Sequence, residues 1–116
     1  MIDEETFGRF LEDVGADTAL VLIPLFIDEA EARVTRLRAA CDAGNLDGAE
    51  REAHALKSSA RTYGLAKLGS AAASFESACR EGKLPPVRDK LEAIERLSKA
   101  SMEALRNFAE TASGNA

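Results

Sequence analysis

The sequence has few of the residues on which several classes of protein depend. Its 116 residues include one histidine and two cysteines, too few for a metal site built from nitrogen and sulfur ligands. Cys41 and Cys79 both fall near apolar helical positions, so we expect buried free thiols in a reducing compartment. No apolar run reaches the length of a membrane span, and the acidic N-terminus is unlike a signal peptide. We therefore expect a cytoplasmic protein with no membrane partner.

Basic residues are outnumbered by acidic ones, 15 to 20. The net charge is −5, so no basic face is large enough to bind nucleic acid. The sequence has no glycine-rich phosphate loop and no acidic pair for magnesium, which excludes a kinase that phosphorylates itself from ATP. Tryptophan is absent and alanine is abundant, a composition typical of closely packed helices.

Helical periodicity runs along the whole chain, and no segment alternates as a strand would. Glycines and capping residues divide it into five predicted helices, at residues 3–14, 17–43, 46–63, 65–81 and 85–112. Pro24 interrupts the second helix, which either bends there or begins later, at Ile23. The short loops predict an all-α fold, an antiparallel four-helix bundle with a short extra N-terminal helix across one end. We expect a single domain over residues 1–116, with a frayed tail at 113–116.

The single histidine, His54, lies outside the apolar seam of the third predicted helix. That seam recurs at helical spacing and consists of Leu46, Ala49, Ala53, Leu56, Ala60 and Tyr63. His54 falls instead in a polar stripe with Glu50, Arg51, Lys57, Ser58 and Arg61. Because imidazole offers a free nitrogen nucleophile near neutral pH, an exposed histidine among cationic neighbours suits the capture of an anionic group.

A carboxylate on the fourth helix is predicted to face His54. Helices joined by the tight turn at Gly64 run antiparallel, so residues equidistant from the turn lie level. The turn centres on Gly64-Leu65, with His54 ten residues before Gly64 and Glu76 eleven after Leu65, and each of the two follows a position of its helix's apolar seam. A carboxylate that accepts one imidazole N–H leaves the other nitrogen free and more nucleophilic. The alternative is an ordinary surface ion pair of Glu76 with Lys57 or Arg80.

Small and basic side chains surround His54 on this face. Ser58, one turn further on, is narrow enough to let another backbone or a phosphoryl group approach. Four basic residues create a local positive field on an acidic protein, namely Arg51, Lys57, Arg61 and Lys67. Because Lys57 lies in the polar stripe, we expect it to assist the chemistry while contributing little to packing.

These residues closely resemble the histidine-containing phosphotransfer (HPt) domain of two-component phosphorelays. The shared pattern is His54-Ala55-Leu56-Lys57-Ser58-Ser59-Ala60, then a glycine at the end of that helix and the pair Phe75-Glu76 in the next. The resemblance covers the third and fourth helices with the expected spacing, and the helix count and order agree over the whole chain. One departure is Ser58, which stands where the family usually has glycine.

The resemblance implies a role for each matching residue. His54 would be the phosphoacceptor through Nε2, the ring nitrogen remote from the backbone. Lys57 and Arg61 would interact with the phosphoryl group, and Glu76 would hydrogen-bond the imidazole. Arg80 matches a position that is sometimes basic and would help electrostatically.

The implied function is a phosphoryl shuttle between receiver-domain aspartates. Its partners would be response-regulator receiver domains and a hybrid histidine kinase, and the chain would be a monomer with no cofactor of its own, since the receiver supplies Mg²⁺. The competing interpretations are a histidine kinase dimerisation and phosphoacceptor fragment, a non-catalytic adaptor of the same fold, and a metal-binding bundle. The first is disfavoured because five helices can close their own core, and the second because His54 and Lys57 are both present. An initiating Met1 favours a free-standing protein.

The receiver-docking surface is predicted to include apolar residues of the first two helices. Phe7, Phe10 and Leu11 exceed what one face of so short a helix can bury. We therefore expect Phe7 to be exposed near the site while Phe10 and Leu11 face the bundle. Leu22 or Phe26 would extend this patch from the second helix. The alternative is a first helix that merely caps the core.

Overall fold

The computed structural model describes residue 2 and residues 4–82 and 84–114, and every regular element in them is helical. The five helices are α1 (Glu4–Val14), α2 (Ala16–Asp42), α3 (Leu46–Thr62), α4 (Ala66–Glu81) and α5 (Leu84–Gly114). All five predicted helices are confirmed, with ends that differ by one or two residues. The predicted first residue of the chain's first helix, Asp3, lies outside the described residues, and so do residues 115 and 116 of the predicted frayed tail.

The predicted end of the second helix at Gly44 and its predicted bend or late start near Pro24 have different outcomes. Gly44 ends α2 with a φ of 71°, a conformation that costs glycine little and other residues more. Pro24 does not end or begin a helix, because α2 continues through it from Ala16 to Asp42. The alternative start at Ile23 is therefore wrong. Pro24 is exposed, so the backbone carbonyl that loses its helical partner there is on the solvent side of the helix.

Helices α2 to α5 form an antiparallel four-helix bundle. Each packs against the next along the chain, and α2 packs against α5 to close the ring. Three ion pairs show that α5 runs antiparallel to α2, because residues later in α2 pair with residues earlier in α5. These pairs are Asp42–Arg88, Arg38–Glu95 and Glu31–Arg106. The predicted fold class is thus confirmed.

The apolar seam of α3 is buried as its spacing predicts. Ala49, Ala53, Leu56 and Ala60 are all fully buried. The matching seam of α4 is also buried, and it consists of Leu68, Ala72, Phe75 and Cys79. Because the α3 seam is mostly alanine, the two helix backbones pack closely, which lets side chains at the edge of the seam reach across. This close packing positions the site.

Cys41 and Cys79 are both buried free thiols, as predicted. Burial disfavours the thiolate and raises the pKa of both groups, that of Cys79 to about 11. Neither thiol is therefore a nucleophile at neutral pH in the folded protein.

Helix α1 lies across the end of the bundle remote from the loop between α2 and α3, and it joins an aromatic cluster there. The ring of Phe7 meets Phe108 edge to face at 5.0 Å between centroids, and Phe10 lies 4.7 Å from Tyr63. Phe26 stacks on the other face of this region, 4.2 Å from the Tyr63 ring. Helices α1, α2 and α5 contribute to this cluster, together with the residue that follows α3.

The predicted exposure of Phe7 is therefore wrong. Phe7 and Phe10 are each only 6% exposed, because residues three apart share one face of a helix and α1 turns that face towards the end of the bundle. Phe26 is buried as well, and Leu22 is half-buried against the core. The large apolar side chains that are exposed lie instead on α2, where Val21 is 64% and Leu25 61% exposed.

Candidate functional site

The turn between α3 and α4 fixes the relative level of the two helices. Leu65 N–H donates to Ala60 C=O at 2.8 Å and Gly64 N–H donates to Arg61 C=O at 3.3 Å, the paired bonds of a Schellman cap. Gly64 has a φ of 75°, and its α-carbon faces the backbone of α1: a β-carbon placed there would lie 2.4 Å from the Phe7 nitrogen. Glycine is therefore required at Gly64 both by its conformation and by the space available.

Glu76 is the centre of the site. Its side chain is 5% exposed, and both carboxylate oxygens accept hydrogen bonds from neighbouring residues. Oε2 accepts from His54 Nδ1 at 2.7 Å and from Arg80 Nη2 at 3.1 Å, while Oε1 accepts from Lys57 Nζ at 2.8 Å. The predicted contact with His54 and the alternative pairing with Lys57 or Arg80 thus occur together. Burying a carboxylate is costly unless it is paired, and here three donors pair it.

These donors keep Glu76 ionised. The Lys57 ammonium and then the His54 ring lower the pKa of the Glu76 carboxyl, against the opposing effect of burial. An ionised carboxylate can only accept a hydrogen bond, so the proton of the 2.7 Å contact is on Nδ1 of His54. In the neutral imidazole, Nε2 then carries the lone pair. The His54 side chain is 61% exposed, and this free nitrogen faces solvent.

Lys57 is not the free surface cation that the polar stripe predicts. Its side chain is 19% exposed and its ammonium is bonded to the buried carboxylate. Ser58 does lie on the exposed face, and its hydroxyl donates to the backbone carbonyl of His54 at 3.3 Å. A serine in this position adds little width, because its oxygen is turned back along the helix.

The cations around His54 fall into two groups. Lys57 and Arg80 are bonded to carboxylates, whereas Arg51 and Arg61 are exposed and form no ion pair with any side chain of the described residues. The stem of Arg61 lies over Gly69 of α4, where an added β-carbon would come within 3.1 Å of Arg61 Cγ. Arg51 and Arg61 therefore flank His54 on α3 as uncompensated positive charge.

A groove of about 420 Å³ opens beside His54 towards the start of α3. Its walls are Asp47, Glu50, Arg51, His54, Glu76 and Arg80. The sequence analysis included neither Asp47 nor Glu50 in the site, and of these two Glu50 is bonded to a predicted site residue. Glu50 Oε1 accepts from Arg80 Nε at 2.8 Å. The rule that found Glu76 would also have found this pair, because Glu50 and Arg80 lie one turn further from Gly64 on each helix.

The structure thus brings together four of the predicted site residues, His54, Lys57, Glu76 and Arg80, in one hydrogen-bonded network. Ser58 and Arg61 share the exposed face of α3 with His54. Phe7 is separate from this network because it is buried in the aromatic cluster.

Known proteins resemble this chain in sequence and in fold. The family model of the Hpt domain matches residues 21–108, which include the whole hairpin of α3 and α4. The chain belongs to the Hpt domain family. Two curated relatives are the phosphorelay protein LuxU of Vibrio vulnificus strains YJ016 and CMCP6, each 31% identical over 101 residues, covering 84% of this chain and 85% of the relative. The fold of this Hpt domain is also that of histidine-containing phosphotransfer protein B (HptB) from Pseudomonas aeruginosa PAO1. That crystal structure has a TM-score of 0.89 at 24% identity over 95% of each chain.

Two further observations concern the described part of this Hpt domain. No helix there combines the length and apolar character needed to cross a membrane. Within the same residues, no group of three or more histidine, cysteine, aspartate or glutamate side chains is arranged to hold a metal ion.

Proposed function

We propose that this Hpt domain passes phosphoryl groups between receiver-domain aspartates through Nε2 of His54. The observation that carries the proposal is the state of the imidazole: a buried carboxylate holds Nδ1–H at 2.7 Å, while the rest of the ring is exposed. A nucleophile held in one tautomer and aimed at solvent suits attack on a group carried by another protein. The family match and the LuxU relatives support the same function.

The transfer step follows from this geometry. The Nε2 lone pair attacks the phosphorus of an aspartyl phosphate, an N–P bond forms, and the P–O bond breaks with its electron pair on the aspartate carboxylate. The ring keeps its Nδ1 proton and becomes positively charged. Glu76, ionised and already bonded to that proton, stabilises the new charge. Attack of a second receiver's aspartate on the phosphohistidine reverses the same step.

Three cations of α3 would have different electrostatic roles in the transfer, namely Lys57, Arg51 and Arg61. Lys57 lies against Glu76 and acts first by holding that carboxylate in position. Arg51 and Arg61 have no competing partner among the described side chains and would attract the phosphoryl oxygens. The Mg²⁺ that neutralises the acyl phosphate would come with the receiver domain, so the chain itself would need no cofactor.

Receiver domains would dock over His54 and over the exposed apolar surface of α2. Val21 and Leu25 lie one turn apart on one face of α2, and such a pair of exposed apolar side chains is suited to a partner interface. Half-buried Leu22 lies beside them. This patch takes the place of Phe7 in the predicted docking surface. A receiver-bearing hybrid histidine kinase would use the same face, and the chain would act as a cytoplasmic monomer.

The test is phosphoryl transfer from a radiolabelled phosphorylated receiver domain. The chain should gain one acid-labile, base-stable phosphoryl group, and His54→Gln should gain none while it remains folded, because a glutamine amide can still donate to Glu76 in place of the ring. Ser58→Ala, a matched exposed substitution one turn away, should keep the transfer. Label retained by His54→Gln would refute the proposal, and receiver binding without label on the wild-type chain would identify an adaptor instead.

A further inference from the structure

Arg80 is shared between two carboxylates in the unphosphorylated site. Its Nε donates to Glu50 Oε1 at 2.8 Å and its Nη2 donates to Glu76 Oε2 at 3.1 Å. Glu50 lies one turn before His54 on α3, with its side chain 27% exposed, and Arg80 is 62% exposed. The guanidinium therefore lies across the groove between α3 and α4, held at both edges.

This position is next to the reacting ring. Oε2 of Glu76 accepts from both Arg80 Nη2 and His54 Nδ1, so the guanidinium and the imidazole are separated by one shared oxygen. A guanidinium has five N–H donors, and the two bonds described here leave the remainder unused. Because the Arg80 side chain is mostly exposed, it has room to turn towards a new anion in the groove.

Phosphorylation would introduce that anion. A phosphoryl group carries more negative charge than one carboxylate and offers three strong acceptor oxygens. If Arg80 turns to it, Glu50 loses its partner and is left as a negative charge in the same groove. If Arg80 stays with Glu50, the phosphoryl group goes without that arginine. Either arrangement makes the phosphohistidine less favourable than it would be without the Glu50 charge.

We propose that Glu50 is a positioning residue that competes with the phosphoryl group for Arg80 and so shifts the transfer equilibrium from His54 towards the receiver. This inference rests on the proposed phosphotransfer through His54. Glu50 touches neither the imidazole nor the transferred group and acts only through Arg80. With Glu50 present, phosphorylated His54 would readily transfer its phosphoryl group to a receiver and would not accumulate.

The experiment measures the equilibrium ratio of phosphorylated chain to phosphorylated receiver, with one receiver domain and a series of variants. Glu50→Gln removes the competing charge and should move the ratio towards the phosphohistidine by about two- to fivefold, the range expected for a half-exposed ion pair. Asp47→Asn is the matched control, because Asp47 lines the same groove and loses the same charge, yet forms no bond with Arg80. Its shift should be clearly smaller.

A double-mutant cycle with Arg80→Gln tests the route of the effect. In that background Glu50→Gln should shift the ratio no more than Asp47→Asn does. Partial loss of folded protein would slow transfer in both directions without moving the ratio towards the histidine. Equal shifts for Glu50→Gln and Asp47→Asn, an undiminished shift without Arg80, or a shift towards the receiver would each overturn the inference. If the wild-type chain takes no phosphoryl group at all, the proposed function fails instead.

Discussion

Replacing Gly64 by alanine should destabilise the protein in two ways, through its backbone conformation and through a steric clash with α1. The left-handed conformation at Gly64 costs an alanine about 1–2 kcal/mol. The added β-carbon would also lie 2.4 Å from the nitrogen and 2.6 Å from the α-carbon of Phe7. Backbone atoms cannot turn aside as a side chain can, so α1 must shift, which adds the roughly 1–3 kcal/mol typical of overpacking. The expected total for Gly64→Ala is about 2–5 kcal/mol.

Gly44→Ala is the matched control for the conformational part. Gly44 ends α2 with a φ of 71°, but a β-carbon there would meet no atom within 4 Å. Gly44→Ala should therefore lower the free energy of unfolding only by the conformational cost, about 1–2 kcal/mol. Urea unfolding followed by circular dichroism gives both values from one experiment. A Gly64→Ala protein no less stable than Gly44→Ala would refute the close approach of α1 to this turn.

Two further predictions concern the site and its docking surface. Lys57→Ala leaves one oxygen of buried Glu76 without its donor and should cost about 1–3 kcal/mol at pH 7. Because the pKa of Glu76 is lowered in the folded state, this stabilisation is complete above the unfolded carboxyl pKa of about 4.3 and is lost as the pH falls through the lowered value. The cost should therefore shrink in acid and in a Glu76→Gln background, and a cost that persists in both would show that packing is responsible. Leu25→Ser should weaken receiver binding several-fold, while a small acyl phosphate should still phosphorylate its His54. The control is Ala32→Ser, an exposed substitution on the same helix, which should leave receiver binding unchanged. Equal affinities for the two variants would exclude the α2 patch from the interface.

Local patterns were enough to predict the bundle and the centre of the site. A helix commonly ends at a residue in the left-handed conformation, which glycine adopts most easily. Gly44 and Gly64 therefore predicted the ends of α2 and α3 directly. The contact of His54 with Glu76 followed from counting outwards from a tight turn, because an antiparallel hairpin keeps residues level over several turns.

The position of α1 could not be obtained in this way. Phe7 and Phe10, three residues apart, share one face of α1, but the periodicity of so short a helix does not show how much of that face the end of the bundle covers. Their burial depends on contacts with Tyr63 and Phe108. Both residues are far from α1 in sequence, and the packing of helices α2 to α5 brings them to the same end of the bundle. The burial of Glu76 was missed for a related reason, since the seam shows which residues lie near the contact but not how closely two alanine-rich surfaces approach.

The face that carries His54 has little conformational entropy to lose. Around the imidazole, α3 presents Ala55, Ser58 and Ser59, side chains with few or no rotamers to fix on binding. The longer Lys57 is already held by Glu76 before any partner arrives. Association with another protein would therefore order mainly the side chains of that protein and the exposed arginines. In the proposed phosphotransfer, such a surface would bind a receiver with an affinity that is set largely by what the receiver contributes.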